Sequence, residues 1–318
     1  MRLCRLAWWL ALVTVAVAVV MAAVTWPWPE DPPDGFSLEL SFHPEVVLPG
    51  DLLAIRVSGE SPLYRVTAAT GQVLGREIHF YPLERSLVAL VGIPSSTPAA
   101  RYYLRVEVTR SDGEVYGLGS VVEVGSREFP VQHLRAGTAL TGLLTAANLA
   151  SDRARTTAAR ANPVPRPLWD GPFLMPVEGR LTTDYAELRY VNQAPSGSPH
   201  SGLDIAAPPG TPVLAAAAGV VVFSGDLHLS GTTVILDHGL NLFTLYLHLS
   251  ATLVQVGEEV ERGKLIGMVG STGFSTGPHL HWTVSWGLVP VNPWPLLETD
   301  PLAPFLEHSF EDSPPASP

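Results

Sequence analysis

From Phe36 to about Val124 the chain runs in short apolar/polar alternations that stop at turn signals, a pattern suited to antiparallel β-structure. Phe36-x-Leu38-x-Leu40-x-Phe42 is the clearest case. Side chains alternate between the faces of a strand, so these four apolar groups share one side. Runs at 53–57, 64–68, 77–81, 87–93, 102–109 and 115–124 follow. Pro49-Gly50-Asp51, Gly59, Gly71, the prolines of 94–98 and Asp112-Gly113 separate them. About seven strands over residues 36–125 predict an immunoglobulin-like β-sandwich. Turn formers are frequent throughout, with 30 Pro and 28 Gly, so a mainly β protein is expected. His43 and His79 stand alone in this region and read as structural.

The 318 residues leave room for a second domain. A net charge of −11 without a basic cluster argues against nucleic acid as a partner. The one cysteine, Cys4, excludes an intrachain disulfide and a thiolate metal cluster. Arg2 and Arg5 precede an uncharged apolar run from residue 6 to 28, and Glu30, Asp31 and Asp34 follow it. As a helix, 6–26 would span about 30 Å, the hydrocarbon thickness of a bilayer. Trp8 and Trp9 lie at one end, Trp26 and Trp28 at the other. Residues 1–28 are therefore expected to be a transmembrane anchor, single-pass, with everything after them outside the cell membrane. A cleaved signal segment, leading to secretion, is the competing reading, and Ala22 and Ala23 make a poor cleavage site for it.

Residues 126–167 read as a connector: an Ala/Leu/Arg-rich helix over 138–160, closed by Asn162, Pro163 and Pro165. A second domain at 168–298 shows strand patterns at 219–223, 232–236, 243–248 and 265–269. The tail, 299–318, is expected to be disordered.

The chemistry-bearing residues fall in that second domain. In Gly277-Pro278-His279-Leu280-His281-Trp282 a strand would put His279 and His281 on one face, suited to one ligating a metal and the other working beside it. His200 and Asp204 are four residues apart around Gly202, whose freedom would permit a bend. With His281 they make two nitrogens and one oxygen, the ligand set of a catalytic Zn²⁺ with an open fourth position. The shared face alone does not decide between His279 and His281. The chain has no His-Glu-x-x-His helix to supply a glutamate base, so His248 and His279 are the candidates for moving protons. His228 and His238 read as structural. The glycines of 267–277 lack the Gly-Lys-Ser/Thr of a phosphate loop. A carrier-hairpin reading centred on Lys264 leaves the polar site residues unexplained. Arg189 and Asn192 are candidates to line a groove.

From about Trp169 to Leu297 the chain resembles the lysostaphin-type, LytM-like zinc metalloendopeptidases of bacterial cell walls. The resemblance rests on His200-x-Gly-x-Asp204, residues 215–219, Asp237-His238-Gly239, Tyr246-x-His248-Leu249, residues 256–263, and Gly270-x-Thr272-Gly273-x-Ser275-Thr276-Gly277-Pro278-His279-Leu280-His281. It implies a β-rich groove on a curved antiparallel sheet, one zinc per chain on His200, Asp204 and His281, and His248 and His279 as catalytic histidines. It also implies hydrolysis of peptide bonds in peptidoglycan stems or cross-bridges. A catalytically inactive scaffold regulating other wall hydrolases is the alternative. Thr283 stands where many members have Glu, and Trp282 where they have Phe; both are expected to affect local packing.

Overall fold

The computed structural model describes residues 35–134, 142–191, 193–195 and 198–306. The expected anchor at 1–28 and positions 307–318 of the expected tail lie outside the described residues. Among the described residues no helix is long and apolar enough to cross a membrane.

The chain is mainly β. Its first unit has two facing sheets. β1 (Ser37–His43), β3 (Leu52–Glu60), β6 (Tyr81–Leu83) and β7 (Ser86–Gly92) form one, in the order β1-β3-β7-β6. β2 (Val46–Val47), β4 (Val66–Val73), β5 (Arg76–His79), β8 (Ala100–Arg110) and β9 (Val115–Val124) form the other, in the order β2-β9-β8-β4-β5. Leu104, Val106 and Val108 of β8 turn inward between exposed neighbours, as alternation requires. The single strand expected at 77–81 is two. The chain changes sheets at Phe80, so β5 pairs with β4 while β6 pairs with β7. In β7 every residue after Ser86 is buried. One side faces the sandwich core, and at its end Gly92 meets the second unit at Trp286 and Val291.

The connector contributes β10 (Val131–Leu134) and the helix α1 (Ala146–Ala159). The Thr145 side chain caps α1 by accepting the N–H of Asn148 at 3.1 Å. The helix begins at 146 rather than 138, and positions 138–141 of its expected span lie outside the described residues. Just beyond α1, Arg160 donates to the Ser285 hydroxyl and the Gly287 carbonyl, which ties the connector to the second unit.

The second unit is built on a curled antiparallel sheet of β11 (Arg180–Thr183), β14 (Leu203–Ala206), β22 (His279–Trp286), β18 (Leu242–Leu249), β17 (Gly231–Asp237), β16 (Gly219–Leu227) and β20 (Glu259–Val260), in that order. β23 (Val289–Val291) also pairs with β22. Bulges interrupt the register at 181–183, 221–223 and 232–234, and bulges bend and twist a sheet. Leu280, Trp282 and Val284 of β22 bury one face with Leu242 and Tyr246 of β18. The opposite face carries His281, Thr283 and Ser285, paired across the strands with Leu247, Leu245 and Phe243. Two small sheets flank this one: β10 with β12 (Leu188–Val191) and β13 (Ala194–Pro195), and β15 (Pro212–Leu214) with β21 (Leu265–Met268) and β19 (Ala251–Thr252).

The disorder expected from residue 299 is corrected for 299–306. α2 (Trp294–Glu298) is followed by α3 (Ala303–Leu306), and Leu302 and Phe305 are buried. The Asp300 carboxylate accepts the indole N–H of Trp169 at 3.0 Å and the N–H of Gly171 at 3.2 Å, which anchors the segment.

Candidate metal centre

β14 and β22 run antiparallel with Asp204 directly opposite His281 and Ala206 opposite His279. Directly opposed residues point to the same face, so the register alone brings Asp204 to the histidine pair. Gly202 serves a different purpose from the expected bend. A Cβ there would strike the Trp282 carbonyl, so the glycine lets the start of β14 lie against β22.

His200, Asp204 and His281 converge with one ligand atom each, all within 4.8 Å of one another. His200 Nε2 lies 3.0 Å from Asp204 Oδ1 and 2.9 Å from His281 Nδ1, and His281 Nδ1 lies 2.7 Å from Asp204 Oδ1. All three side chains are buried. His200 donates its Nδ1–H to the Asp184 carbonyl at 2.8 Å, which leaves Nε2 as the lone-pair nitrogen toward the cluster. His281 Nε2 faces the hydroxyls of Thr283 at 2.9 Å and Ser201 at 3.1 Å, so its Nδ1 faces the cluster. Burial opposes ionisation of Asp204. When His200 and His281 are protonated and no metal is bound, their hydrogen bonds and positive charge outweigh burial and hold the carboxyl well below the usual range. Two imidazoles fixed from behind and one carboxylate, all aimed at one point, fit a divalent metal ion.

His279 shares the face but not the cluster. Its Nε2 stays 3.7 Å from Asp204 Oδ1, and its Nδ1–H is taken by the Gly277 carbonyl at 2.7 Å. His248 arrives by a distortion of β18. Strict alternation would leave it on the core side with Tyr246. The bulge against β17 and a φ of +62° at His248 turn it to the site face, where its ring lies 4.9 Å from that of His279. His248 donates its Nδ1–H to the Thr272 carbonyl at 2.8 Å, which leaves Nε2 as the proton acceptor. Burial, then the charge of His281 and His279, pulls the pKa of His248 down to about 3.

Asp204, His248, His279 and His281 line a cavity of about 280 Å³ with Gln132, Thr182, Thr183, Phe274 and Thr276. Sequence reasoning passed over Gln132 and the two threonines. Gln132 sits on β10 in the connector and donates to the Thr183 hydroxyl at 3.0 Å; no motif marks it. Asn192 lies outside the described residues, and Arg189 lies on β12. His238 is fully buried, with Nδ1 2.7 Å from the Ala218 carbonyl and Nε2 2.7 Å from the Thr244 hydroxyl, a structural placement. Lys264 is in a surface ion pair with Glu258 at 2.6 Å.

Residues 198–293 match the model of peptidase family M23. A crystal structure of a peptidase M23 candidate from Pseudomonas aeruginosa is 30% identical, covers 79% of this chain and 94% of its own, and superposes with a TM-score of 0.56. The chain belongs to peptidase family M23. Over 95 residues this M23 chain is 46% identical to the peptidoglycan DD-endopeptidase ShyA of Vibrio cholerae, across 30% of its own length and 22% of that protein. Over 94 residues it is 50% identical to the DD-carboxypeptidase/endopeptidase Mpg of Neisseria meningitidis, again across 30% and 22%. The match thus spans about a fifth of those relatives' length.

Proposed function

We propose that the chain is a zinc-dependent endopeptidase that hydrolyses peptide bonds in peptidoglycan stems or cross-links, with one zinc ion per chain on His200, Asp204 and His281. One observation carries this reading: three donors converge at the floor of a groove beside two histidines whose Nδ1 atoms are taken by carbonyls. The relatives named for peptidoglycan cleavage support the substrate class. Zinc, when bound, supplies the Lewis acidity that polarises a carbonyl and makes water nucleophilic near neutral pH. His248 and His279 each present Nε2 to the groove. They take the proton released by the attacking water, return it to the departing amine and hydrogen-bond the developing oxyanion. The groove threonines and Gln132 offer hydroxyl and carboxamide partners to a peptide backbone.

On this reading the 1–28 anchor holds the enzyme on the outer side of the cell membrane, and cleavage of the segment would release it. The immunoglobulin-like sandwich serves as a spacer or binding module, and nucleic acid is not a partner.

Zinc content measured beside digestion of defined muropeptides, with products read by mass spectrometry, tests the assignment. His281→Ala should lose zinc and activity together. His279→Ala and His248→Ala should keep zinc and lose roughly 10²–10⁴-fold in rate. If His279→Ala strips the metal while His281→Ala retains it, the two roles are reversed. Wild-type protein that binds zinc but cleaves no muropeptide would point to the inactive scaffold instead.

A further inference from the structure

We propose that Asp152 on α1 is a positioning residue for His248, acting through two interlocked loops; this rests on the peptidase reading above. Asp152 is the buried residue of α1, at 7% exposure. A helix normally docks by an apolar stripe, whereas this one inserts a carboxylate. Its two oxygens accept the backbone N–H groups of His228 at 2.8 Å and Leu229 at 2.7 Å. Arg155, almost one turn on, donates to the Asp226 carbonyl and lies 5.1 Å over the Phe223 ring, so the helix holds the end of β16 as well as the loop that follows it. α1 lies outside the segment matched to the family model.

The loop that Asp152 holds is bonded to the surroundings of His248 at three points, and one of its partners, Thr272, in turn holds the His248 ring. The Ser230 carbonyl accepts the backbone N–H of His248 at 2.9 Å, and the Leu229 carbonyl accepts that of Phe274 at 2.7 Å. The N–H of Thr232 donates to the Thr272 hydroxyl at 2.9 Å, and the Thr272 carbonyl takes the His248 ring proton at 2.8 Å. Gly231 and Gly273 have φ values of +64° and +70°, and a Cβ on Gly273 would strike the Leu229 carbonyl and the Gly231 backbone. Backbone therefore rests on backbone, and a shift of one loop is transmitted to the other. His248 has a strained φ of its own and stays in place only while the surrounding structure over-determines it. Losing the carboxylate would leave two N–H groups without their acceptor and relax that constraint.

The test compares Asp152→Ala and the milder Asp152→Asn in the full chain, each in the wild-type and the His248→Ala background. In the wild-type background Asp152→Ala should lower kcat roughly 10–100-fold, the scale of a misplaced catalytic group. Zinc content should stay unchanged and KM should move by less than about twofold. In the His248→Ala background the same change should cost less than about twofold, because Asp152 acts through the imidazole already removed. A loss of equal size in both backgrounds, or wild-type kcat in Asp152→Ala, overturns the proposal. If Asp152→Ala does not fold, Asp152→Asn carries the comparison with a smaller expected loss. A second readout needs neither metal nor turnover. The His248 Nδ1–H should give a slowly exchanging downfield proton resonance in wild-type protein that broadens away in the Asp152 variants, and its persistence there also overturns the proposal. Wild-type protein that cleaves no muropeptide would sink the peptidase reading, while this resonance still decides the clamp.

Discussion

His281 is oriented from both ends of its ring, by Asp204 at Nδ1 and by the hydroxyls of Thr283 and Ser201 at Nε2. Position 283 read as a packing position in the sequence, and the structure corrects this. Thr283 is two residues from His281 on β22, hence on the same face, and is buried with its hydroxyl 2.9 Å from the ring. Strand parity was the signal that could have found it. Partners behind a metal-bound imidazole fix its orientation and raise its basicity, and losing one typically costs 10–100-fold in metal affinity. Thr283→Val keeps the shape and removes the hydroxyl. Zinc affinity, measured by competition with a chelator, should fall by about 10-fold or more. An unchanged affinity would show that Ser201 suffices alone.

At the scale of elements, β18, like β22, serves both core and site, and in β18 a bulge separates the two roles. Tyr246 and Leu249 are buried in the core while His248 between them faces the groove. The Asp237-His238-Gly239 turn at the other end of β17 behaves differently, since His238 is wholly inside. Burial, opposed only partly by the hydrogen bond to the Ala218 carbonyl, lowers its pKa to about 4. A histidine in the unfolded chain titrates near 6.5. As pH falls the unfolded state thus binds the proton first, so stability is full above about pH 6.5 and is lost progressively toward pH 4. The limiting slope is about 1.4 kcal/mol per pH unit for one proton. Urea unfolding at pH 7.5 and pH 5.5 should show a larger drop for wild-type protein than for His238→Gln. Equal drops would place the pH sensitivity elsewhere.

At the scale of the molecule, the sandwich and the M23 unit are joined through a built interface rather than a flexible hinge. Asn292 donates its backbone N–H to the Gly50 carbonyl at 2.7 Å and its side-chain amide to Asp51 at 3.0 Å. Arg127 pairs with the same Asp51 carboxylate at 2.6 and 3.0 Å. Gly92 closes the contact, since a Cβ there would come within 2.9 Å of both Trp286 and Val291. Gly92→Leu should therefore destabilise the protein by about 1–3 kcal/mol, as overpacking does. Chemical denaturation measures this, and a wild-type midpoint with unchanged slope would mean that the interface yields without strain.

Alternation and turn signals by themselves determined that the chain is mainly β, because strand periodicity is local and each run carries its own pattern. The spacing His200-x-x-x-Asp204 and the pair His279, His281 likewise marked the candidate ligand set, since such a set announces itself by residue type. Which histidine joins the cluster was not in the spacing. The pairing of β14 with β22 set Asp204 against His281, and a carbonyl took the Nδ1–H of His279. The placement of His248 depended on a bulge, which arises from a mismatch between two strands and has no signature in either one. Gln132 reaches the site, and Asp152 reaches the 228–229 loop, from a connector that carries no motif at all. Their nearest partners, Thr183 and the 228–229 backbone, are 51 to 77 residues away in sequence. Contacts across such distances are set by how the units pack, and only the tertiary structure could decide them.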